Sequence, residues 1–298
     1  MRIFDCFMFY DEEMLLDIRL NILNKFVDQF IIVESTYSHS GQKRDLIFNI
    51  DKYKKFKDKI KYFVSDKKPR EIETVNSYDT NHIKENKTIM NAVWFENSQR
   101  NAIINPLTSA DPNDQIIISD LDEIPNLENI NFKNIKNKLI LFKQKMFYYK
   151  FNLILDNMTW CGSKSCKKKD LLSPQWLREV KDKKYPLWRI DTYFSKKKHN
   201  DIFFVNKGGW HFTNIKTPEE IDKKLRSYLH HPEYEKSKIG PKEISEMIKK
   251  KQPVYDLTAN SSETKDRSRS KLKISSLNEL PIYIQQNKEK FNEWIVSN

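Results

Sequence analysis

The sequence predicts an α/β fold in which a mostly parallel central sheet carries helices on both faces. A strand, a helix and a second strand follow one another within residues 2–34, and such a unit gives parallel strands. Apolar strands and helical patterns then continue to about residue 119. With 298 residues, the chain is also long enough to bury one continuous core. Together these features predict a nucleotide-binding type of α/β architecture.

The opening unit is defined by its hydrophobic pattern. Residues 2–9 are a β-type run, and an acidic turn then favours a helix start because negative charge stabilises a helix N-terminus. The predicted helix covers residues 12–26, and residues 29–34 form a continuous apolar strand that ends at Glu34. The apolar side chains of the helix recur at three- and four-residue steps: Leu15, Ile18, Ile22 and Phe26.

The same pattern continues after this unit. We predict a helix over residues 53–59, a strand over 60–64 and a longer helix over 86–105. Residues 114–119 form the next apolar strand, which runs directly into the carboxylates of Asp120-Leu121-Asp122-Glu123.

The second half of the chain is less regular. Residues 138–155 alternate apolar and polar side chains, which predicts long antiparallel strands. Residues 156–200 are predicted to be mostly loop with short strands. A strand over 201–205 follows, and then a helix with Pro218 in its first turn that reaches about residue 229.

Composition limits the classes of partner and compartment. The formal net charge of +12 fits either a polyanionic partner or a lysine-rich surface around a phosphate-bearing substrate. We predict no nucleic-acid partner, because the lysines are scattered through separate clusters and no recognition helix is evident. The three cysteines do not form a disulfide framework, and no apolar run reaches the roughly 18 residues that span a bilayer. We therefore expect a soluble cytoplasmic protein, and heavy Lys, Asn and Ile usage indicates a bacterial or viral source.

Asp120 and Asp122 are the strongest functional signal. Open α/β sheets bind ligands at the carboxyl ends of their strands, and two carboxylates crowded there are costly unless a cation neutralises them. Hard oxygen ligands favour Mg²⁺ or Mn²⁺, with coordination positions left for diphosphate oxygens and water. The sequence therefore predicts a divalent metal held by this pair, acting as a Lewis acid on a leaving diphosphate.

Motifs in a fixed order along residues 2–230 resemble glycosyltransferase family 17, the family of β-1,4-mannosyl-glycoprotein 4-β-N-acetylglucosaminyltransferase. The resemblance is carried by these segments: Phe4-Asp5-Cys6-Phe7, Leu15-Leu16-Asp17-Ile18-Arg19-Leu20, Val27-Asp28-Gln29-Phe30-Ile31-Ile32-Val33-Glu34, Ser40-Gly41, Ser98-Gln99-Arg100-Asn101, Ile118-Ser119-Asp120-Leu121-Asp122-Glu123-Ile124-Pro125 and Gly209-Trp210-His211.

This resemblance implies a GT-A type fold with a smaller antiparallel region on the acceptor side. It also implies a UDP-N-acetylglucosamine donor and inverting transfer to a hydroxyl of a glycan or glycoconjugate. On this basis residues 1–257 form the glycosyltransferase domain, with a nucleotide-sugar-binding half at 1–125 and an acceptor half at 126–257. Residues 258–298 are expected to be a flexible polar segment, to about residue 273, and a C-terminal appendage that docks back on the domain.

Individual residues receive candidate roles from their chemistry. Glu34 and Trp210 are expected to contact the donor, Glu34 at the nucleoside and Trp210 by stacking on the sugar. Arg100 suits bidentate binding of the diphosphate, and Asp120 is expected to contact the donor as well as the metal. His211 follows two glycines and is a candidate third metal ligand.

The general base that an inverting transfer requires has two candidates, Glu123 beside the metal pair and Asp191 in the acceptor half. Asp5 and Asp28 are expected to cap or pair structurally.

Two alternatives to a glycosyltransferase remain at this point. Haloacid-dehalogenase-like Mg²⁺-dependent phosphatases also place Asp-x-Asp after an apolar strand, although nearer the start of the chain than residue 120. A non-enzymatic basic module that binds nucleic acid or a glycan is the second alternative. With five glycines in the chain, neither a Walker A loop nor a Rossmann fingerprint is present.

Overall fold

A computed structural model describes residues 1–297 of the protein, except 187, 228–233, 236 and 255–270. The strands are β1 (Ile3–Phe9), β2 (Gln29–Ser35), β3 (Ile60–Ser65), β4 (Gln115–Ile118), β5 (Glu123–Pro125), β6 (Leu139–Phe142), β7 (Gln144–Tyr148), β8 (Leu153–Trp160), β9 (Lys164–Lys167), β10 (Ile202–Val205), β11 (Gly209–Thr213) and β12 (Lys273–Ile274).

The α-helices are α1 (Glu13–Leu23), α2 (Asn81–Asn101), α3 (Pro174–Glu179), α4 (Asp191–Phe194), α5 (Pro218–Ser227), α6 (Pro241–Lys249) and α7 (Ile282–Gln286). Short 3-10 helices occupy Ile50–Lys59, Ala102–Ile104, Pro106–Ser109, Phe132–Asn134, Lys168–Asp170, Leu277–Glu279 and Asn292–Trp294.

The larger sheet has the strand order β10-β6-β9-β4-β1-β2-β3. Strand β9 runs antiparallel to both of its neighbours, and the other pairs of this sheet are parallel. Its central strands are almost wholly buried, as continuous apolar runs in a parallel sheet require. The predicted α/β class with a mostly parallel sheet is therefore confirmed.

Alternating side chains of the central strands feed two separate cores, one on each face of the larger sheet. Phe7, Phe30 and Ile32 pack on one face, where α1 and the C-terminal segment cover them. Cys6, Ile31 and Val33 pack on the other face, against side chains from the two 3-10 helices that follow α2 and from α3. The prediction of helices on both faces holds.

The smaller sheet has the order β12-β8-β7-β11-β5. Its pairs are antiparallel except β7 with β11, which is parallel. The predicted antiparallel strands over 138–155 therefore divide between two sheets. Residues 139–142 are strand β6 of the larger sheet, while β7 and β8 form the antiparallel pair.

Several predicted boundaries differ from the structure. Helix α2 begins five residues earlier than predicted, because the Thr80 side chain accepts a hydrogen bond from the Ile83 N–H and caps the helix. The helix expected over 53–59 is a 3-10 helix. Residues 156–200, predicted to be mostly loop with short strands, contain the short strand β9, which agrees with the prediction, and helices α3 and α4, which were not predicted.

The C-terminal tail packs back on the domain as predicted. Leu280, Ile284 and Phe291 are buried in the same core as α1. The polar segment predicted to be flexible lies largely outside the described residues, since only its last three residues, 271–273, are described. In the described part of the chain, no helix is both long enough and apolar enough to cross a membrane.

Candidate active site

A cleft of about 270 Å³ opens at the carboxyl ends of β1, β2 and β4. This is the edge at which open α/β sheets bind ligands. Residues after β1 and β2 line one side, and the turn after β4 brings in Asp120, Asp122 and Glu123. His211 from β11 and Lys224 from α5 close another side. The structure therefore brings Arg100, Asp120, Asp122, Glu123 and His211 together in one cavity, as the sequence predicted.

The acidic turn is held from below by a fully buried arginine. Arg19 of α1 donates from Nη1 to the backbone carbonyls of Asp120, Leu121 and Glu123, at 3.1, 3.2 and 2.7 Å. Its other nitrogens form two hydrogen bonds to the buried carboxylate of Asp5 on β1, at 2.8 and 2.6 Å. Burial of this pair is tolerated because both charges are paired and hydrogen-bonded. The expected structural role of Asp5 is confirmed.

Asp120 lies between two arginines. Its Oδ1 accepts from Arg100 Nη2 at 3.0 Å, and its Oδ2 accepts from Arg178 Nη2 at 2.8 Å. Arg100 also pairs with Glu96, and Arg178 with Glu123, both at 2.7 Å. Burial raises the pKa of the Asp120 carboxyl, but Arg178 and Arg100 outweigh that effect and hold the pKa well below its usual range. Carboxylates and guanidinium groups thus alternate along the floor of the cleft, from Glu96 to Glu123.

Glu123 is one end of this floor and accepts hydrogen bonds on both oxygens. Oε2 receives the Asp120 N–H at 2.7 Å and Arg178, while Oε1 receives the Trp160 indole N–H at 2.6 Å. Gly162 packs so closely on this carboxylate that a Cβ there would collide with it, and its carbonyl accepts from Arg178. Both oxygens of this carboxylate are therefore occupied by donors of the protein itself, and the residue is almost fully buried, so an acceptor hydroxyl has little access to it.

Asp122 has a looser environment. Its Oδ1 lies 3.7 Å from His211 Nε2, and its Oδ2 lies 3.9 Å from Lys224 Nζ. Both separations exceed hydrogen-bond distance, so the three groups face one another across gaps. Burial lowers the pKa of His211, and the Asp122 carboxylate raises it by more than burial lowers it. The pKa of His211 therefore lies above its usual value. Burial also raises the pKa of Asp122, and His211 more than reverses this.

This pair fits a shared divalent ion. Ligand atoms that each lie about 2.1 Å from one Mg²⁺ are at most about 4.2 Å apart, so the separation of Asp122 and His211 is within reach. The Nε2 atom of His211 is the one that faces Asp122, and the imidazole ring packs against Trp160 with 5.2 Å between ring centroids.

The described residues offer no complete set of metal ligands. In the described part of the chain, no group of three or more His, Cys, Asp or Glu side chains could hold an ion. Mg²⁺ is commonly bound by one or two carboxylates together with phosphate oxygens and water, so two protein ligands suit a metal–diphosphate complex.

Arg100 lines the cleft but is already engaged. Besides its two carboxylate partners it donates from Nη1 to Gln175 Oε1 at 2.5 Å, while its buried Nε has no partner among the described residues. The guanidinium group of Arg100 is therefore not available for the predicted bidentate binding of a diphosphate in this structure.

Three predicted site residues lie outside the cleft. Glu34 is fully buried and accepts from the Ile47 and Phe48 N–H groups and the Tyr62 hydroxyl. Its Oε1 also pairs with Arg44 at 3.1 Å, and Arg44 does line the cleft. Glu34 thus contributes to the cleft only indirectly, because it positions the side chain of Arg44.

Trp210 and Asp191 are the other two. Trp210 donates from its indole nitrogen to the Glu279 carbonyl at 2.7 Å and packs on the main core. Asp191 is on the surface, in ion pairs with Arg189 at 2.6 Å and Lys198 at 2.9 Å. Neither side chain lines the cavity that holds Asp122.

Five functional candidates were missed in the sequence: Arg44, Arg178, Glu12, Lys224 and Trp160. Arg178 lies in a helix within a segment that we predicted to be mostly loop, although Ser173-Pro174 is a readable helix start, with Ser173 capping the Trp176 N–H. Glu12 was interpreted only as a charge at a helix start. No local pattern in the sequence distinguishes Lys224 or Trp160 from surface or core residues.

Comparison with protein families agrees with this geometry. The model of the family described as "Glycosyltransferase family 17" matches residues 1–296. A comparison with curated proteins found no match. The match extends over almost the entire chain and favours a glycosyltransferase over a phosphatase or a non-enzymatic module. A glycosyltransferase takes a nucleotide-sugar donor and a glycan acceptor. This protein belongs to glycosyltransferase family 17 and is a glycosyltransferase.

Proposed function

We propose that the protein transfers N-acetylglucosamine from UDP-N-acetylglucosamine to a glycan hydroxyl, with inversion and with a divalent metal. The observation that carries the metal-dependent part is the pair Asp122 and His211, which face each other at 3.7 Å in the cleft. The identity of the sugar rests on the resemblance of the sequence motifs to this family.

The proposed metal ligands are Asp122 and His211, and the ion is Mn²⁺ or Mg²⁺. Asp120, predicted from the sequence as a further ligand, stays outside the proposed coordination shell, because both of its carboxylate oxygens already accept from arginines. When bound, the ion supplies Lewis-acid stabilisation of the negative charge on the leaving diphosphate.

Side chains of the cleft supply further positive charge for the donor. Lys224 lies beside Asp122, and Arg44 is held toward the cleft by Glu34 and by the carbonyls of Ser35 and Tyr10, at 2.9 and 2.6 Å. Both are proposed to bind the diphosphate. Trp160, whose ring lies 5.2 Å from that of His211, replaces Trp210 as the candidate to stack on the sugar.

Glu12 is the proposed general base. It lines the cleft, its Oε1 lies 3.5 Å from Lys224 Nζ, and its Oε2 accepts a long bond of 3.2 Å from the Asp11 N–H. These contacts are weaker than those of Glu123, so Glu12 retains the capacity to accept a proton from the acceptor hydroxyl. Glu96, the remaining glutamate of the cleft, is paired with Arg100 at 2.7 Å.

A screen of nucleotide-sugars tests the proposed donor. The melting temperature is measured with each nucleotide-sugar, with Mn²⁺ present and with a chelator. A ligand that binds the native state raises the melting temperature. We expect UDP-N-acetylglucosamine to give the largest increase, and only with Mn²⁺. An equal increase in chelator would contradict the metal-dependent proposal, and a larger increase with another nucleotide-sugar would contradict the proposed donor.

A matched pair of variants tests the general base. Glu12→Gln is expected to lower transfer by about 10²-fold or more while donor binding remains normal. Glu96→Gln serves as the control, because it removes a carboxylate of the same cleft that is tied to Arg100. Normal turnover of Glu12→Gln, or an equal loss of turnover in both variants, would rule out the assignment of the base to Glu12.

A further inference from the structure

Residues 181–197, of which the structure describes all but 187, form a surface loop that includes the short helix α4 and has a closed base. The Lys181 N–H donates to the Lys197 carbonyl at 2.7 Å, which joins the two ends of the loop. The base is also tied to the domain, because Lys164 Nζ, a largely buried group, donates to the carbonyl of Val180 at 2.6 Å. The loop therefore projects from a defined anchor that directly follows α3.

The tip of this loop exposes large apolar side chains. Trp188, Ile190 and Phe194 are 76%, 71% and 85% exposed. Nearby in sequence, Leu172 is also exposed, before α3 begins. Single exposed apolar residues are common on protein surfaces, but several in one short loop mark a surface that binds something.

Basic residues flank the tip on both sides. Lys181, Lys183 and Lys184 precede it, and Lys196, Lys197 and Lys198 follow it. Between residues 181 and 198 there are seven Lys and Arg against two Asp. Nearer the tip, Asp191 is neutralised by two hydrogen bonds from Arg189, at 2.6 and 2.8 Å, and by Lys198 at 2.9 Å. The loop thus combines an apolar tip, in which the acidic charge is paired, with a positively charged base.

We propose that this loop docks the enzyme on the surface of an anionic lipid bilayer. Aromatic and aliphatic side chains at the tip suit the boundary between headgroups and acyl chains, where Trp is favoured. Lysines at the base suit the negative potential of anionic headgroups. The proposal rests on exposure and charge, and it is independent of the donor proposed above.

The lysine content favours a membrane over a protein partner, because lysine is depleted at protein–protein interfaces. A nucleic-acid partner is less suitable, because Ile190 has no ring on which a base could stack. Of the three partners, an anionic membrane therefore fits the charge of the loop best.

Vesicle co-sedimentation tests the proposal. The whole protein is incubated with vesicles of phosphatidylcholine alone or of phosphatidylcholine mixed with phosphatidylglycerol. We expect binding to the mixed vesicles that weakens with added salt, and much weaker binding to phosphatidylcholine alone. The double variant Trp188→Ala/Phe194→Ala is expected to lower partitioning by at least about tenfold, because it removes two large apolar groups from the tip.

Two further variants make the result specific. Tyr78→Ala is the matched control, because Tyr78 is an aromatic residue outside the loop that is 83% exposed. It should bind vesicles as the unmodified protein does. Lys183→Glu/Lys184→Glu should reduce binding to the mixed vesicles while the apolar tip is intact.

Three outcomes would overturn the proposal. The first is the absence of binding to anionic vesicles, and the second is unchanged binding by the Trp188→Ala/Phe194→Ala variant. The third is a self-association in solution that this variant abolishes while no vesicle binding occurs, which would identify the loop as a protein interface. Circular dichroism and melting temperature verify that each variant is folded.

Discussion

Asp120 and Asp122 are two residues apart, yet they belong to different regions of the cleft. Asp120 belongs to the floor, where Glu96, Arg100, Asp120, Arg178 and Glu123 alternate in charge with contacts of 2.7 to 3.0 Å. Asp122 belongs to the rim, where His211 and Lys224 approach it only to 3.7 and 3.9 Å. The charged side chains of the floor are already paired with one another. The Asp122 carboxylate and the His211 ring of the rim can still bind a ligand.

This difference changes the electrostatic argument for a metal. The sequence suggested that two crowded carboxylates need an external cation, but Arg100 and Arg178 already neutralise Asp120. The demand for a cation therefore comes from Asp122, which His211 and Lys224 approach only to 3.7 and 3.9 Å. We interpret the floor as a scaffold that fixes the turn and the rim as the part that binds the donor complex.

The largest expected effect comes from the rim. Asp122→Ala removes the principal metal ligand of the proposal and should lower transfer by about 10³-fold or more, because a preorganised charge at a reacting centre contributes on this scale. The measurement is the steady-state rate at saturating donor and Mn²⁺. Asp111→Ala, at a largely exposed aspartate outside the cleft, is the control and should be nearly neutral. Near-normal turnover of Asp122→Ala would show that the rim is not required for transfer.

A substitution in the floor is expected to affect the stability of the protein. Arg178→Ala leaves Asp120 and Glu123 without their shared guanidinium and should lower the free energy of unfolding by about 3–5 kcal/mol. Chemical denaturation measures it. Arg226→Ala is the matched control, because Arg226 forms an exposed pair with Asp222 worth about 0.3–0.5 kcal/mol. Equal losses in both variants would mean that the floor is not a scaffold.

A smaller effect is expected at His211. His211→Gln weakens the proposed metal site without removing its carboxylate, so the Mn²⁺ concentration for half-maximal transfer should rise by about 10–100-fold. The maximal rate at saturating Mn²⁺ should be partly retained. An unchanged Mn²⁺ dependence would exclude His211 from the coordination shell.

The smallest effect is expected at Trp210, outside the cleft. Trp210→Phe removes the hydrogen bond to the Glu279 carbonyl and should cost about 1 kcal/mol of stability. The KM for the donor should be unchanged. A tenfold rise in the KM for the donor would instead indicate that Trp210 contacts the donor.

Much of the fold and the centre of the site could be predicted because their signals are local. The unit β1-α1-β2 follows from hydrophobic periodicity, and the acidic turn follows from an apolar strand that ends in carboxylates. Trp210 illustrates a limit that the sequence could have revealed. Adjacent residues of a strand point to opposite faces, so Trp210 and His211 could not both face the cleft.

Other parts of the site depend on tertiary contacts. Arg19 reaches the acidic turn across 101 to 104 residues of sequence, and Arg178 reaches Asp120 across 58. Glu34 lies one residue before the end of β2, which extends to Ser35, and its oxygens are bound by the Ile47 and Phe48 N–H groups and by Arg44. Local patterns contain no information on which distant partner a charged side chain finds.

The most direct test is the binding of Mn²⁺ followed by electron paramagnetic resonance, with and without UDP. We expect one Mn²⁺ per chain to bind tightly when UDP is present and much more weakly without it, and we expect Asp122→Ala to abolish the tight binding. Tight Mn²⁺ binding that persists in Asp122→Ala, or UDP binding that is unaffected by a chelator, would contradict the assignment of the metal to the rim of the cleft.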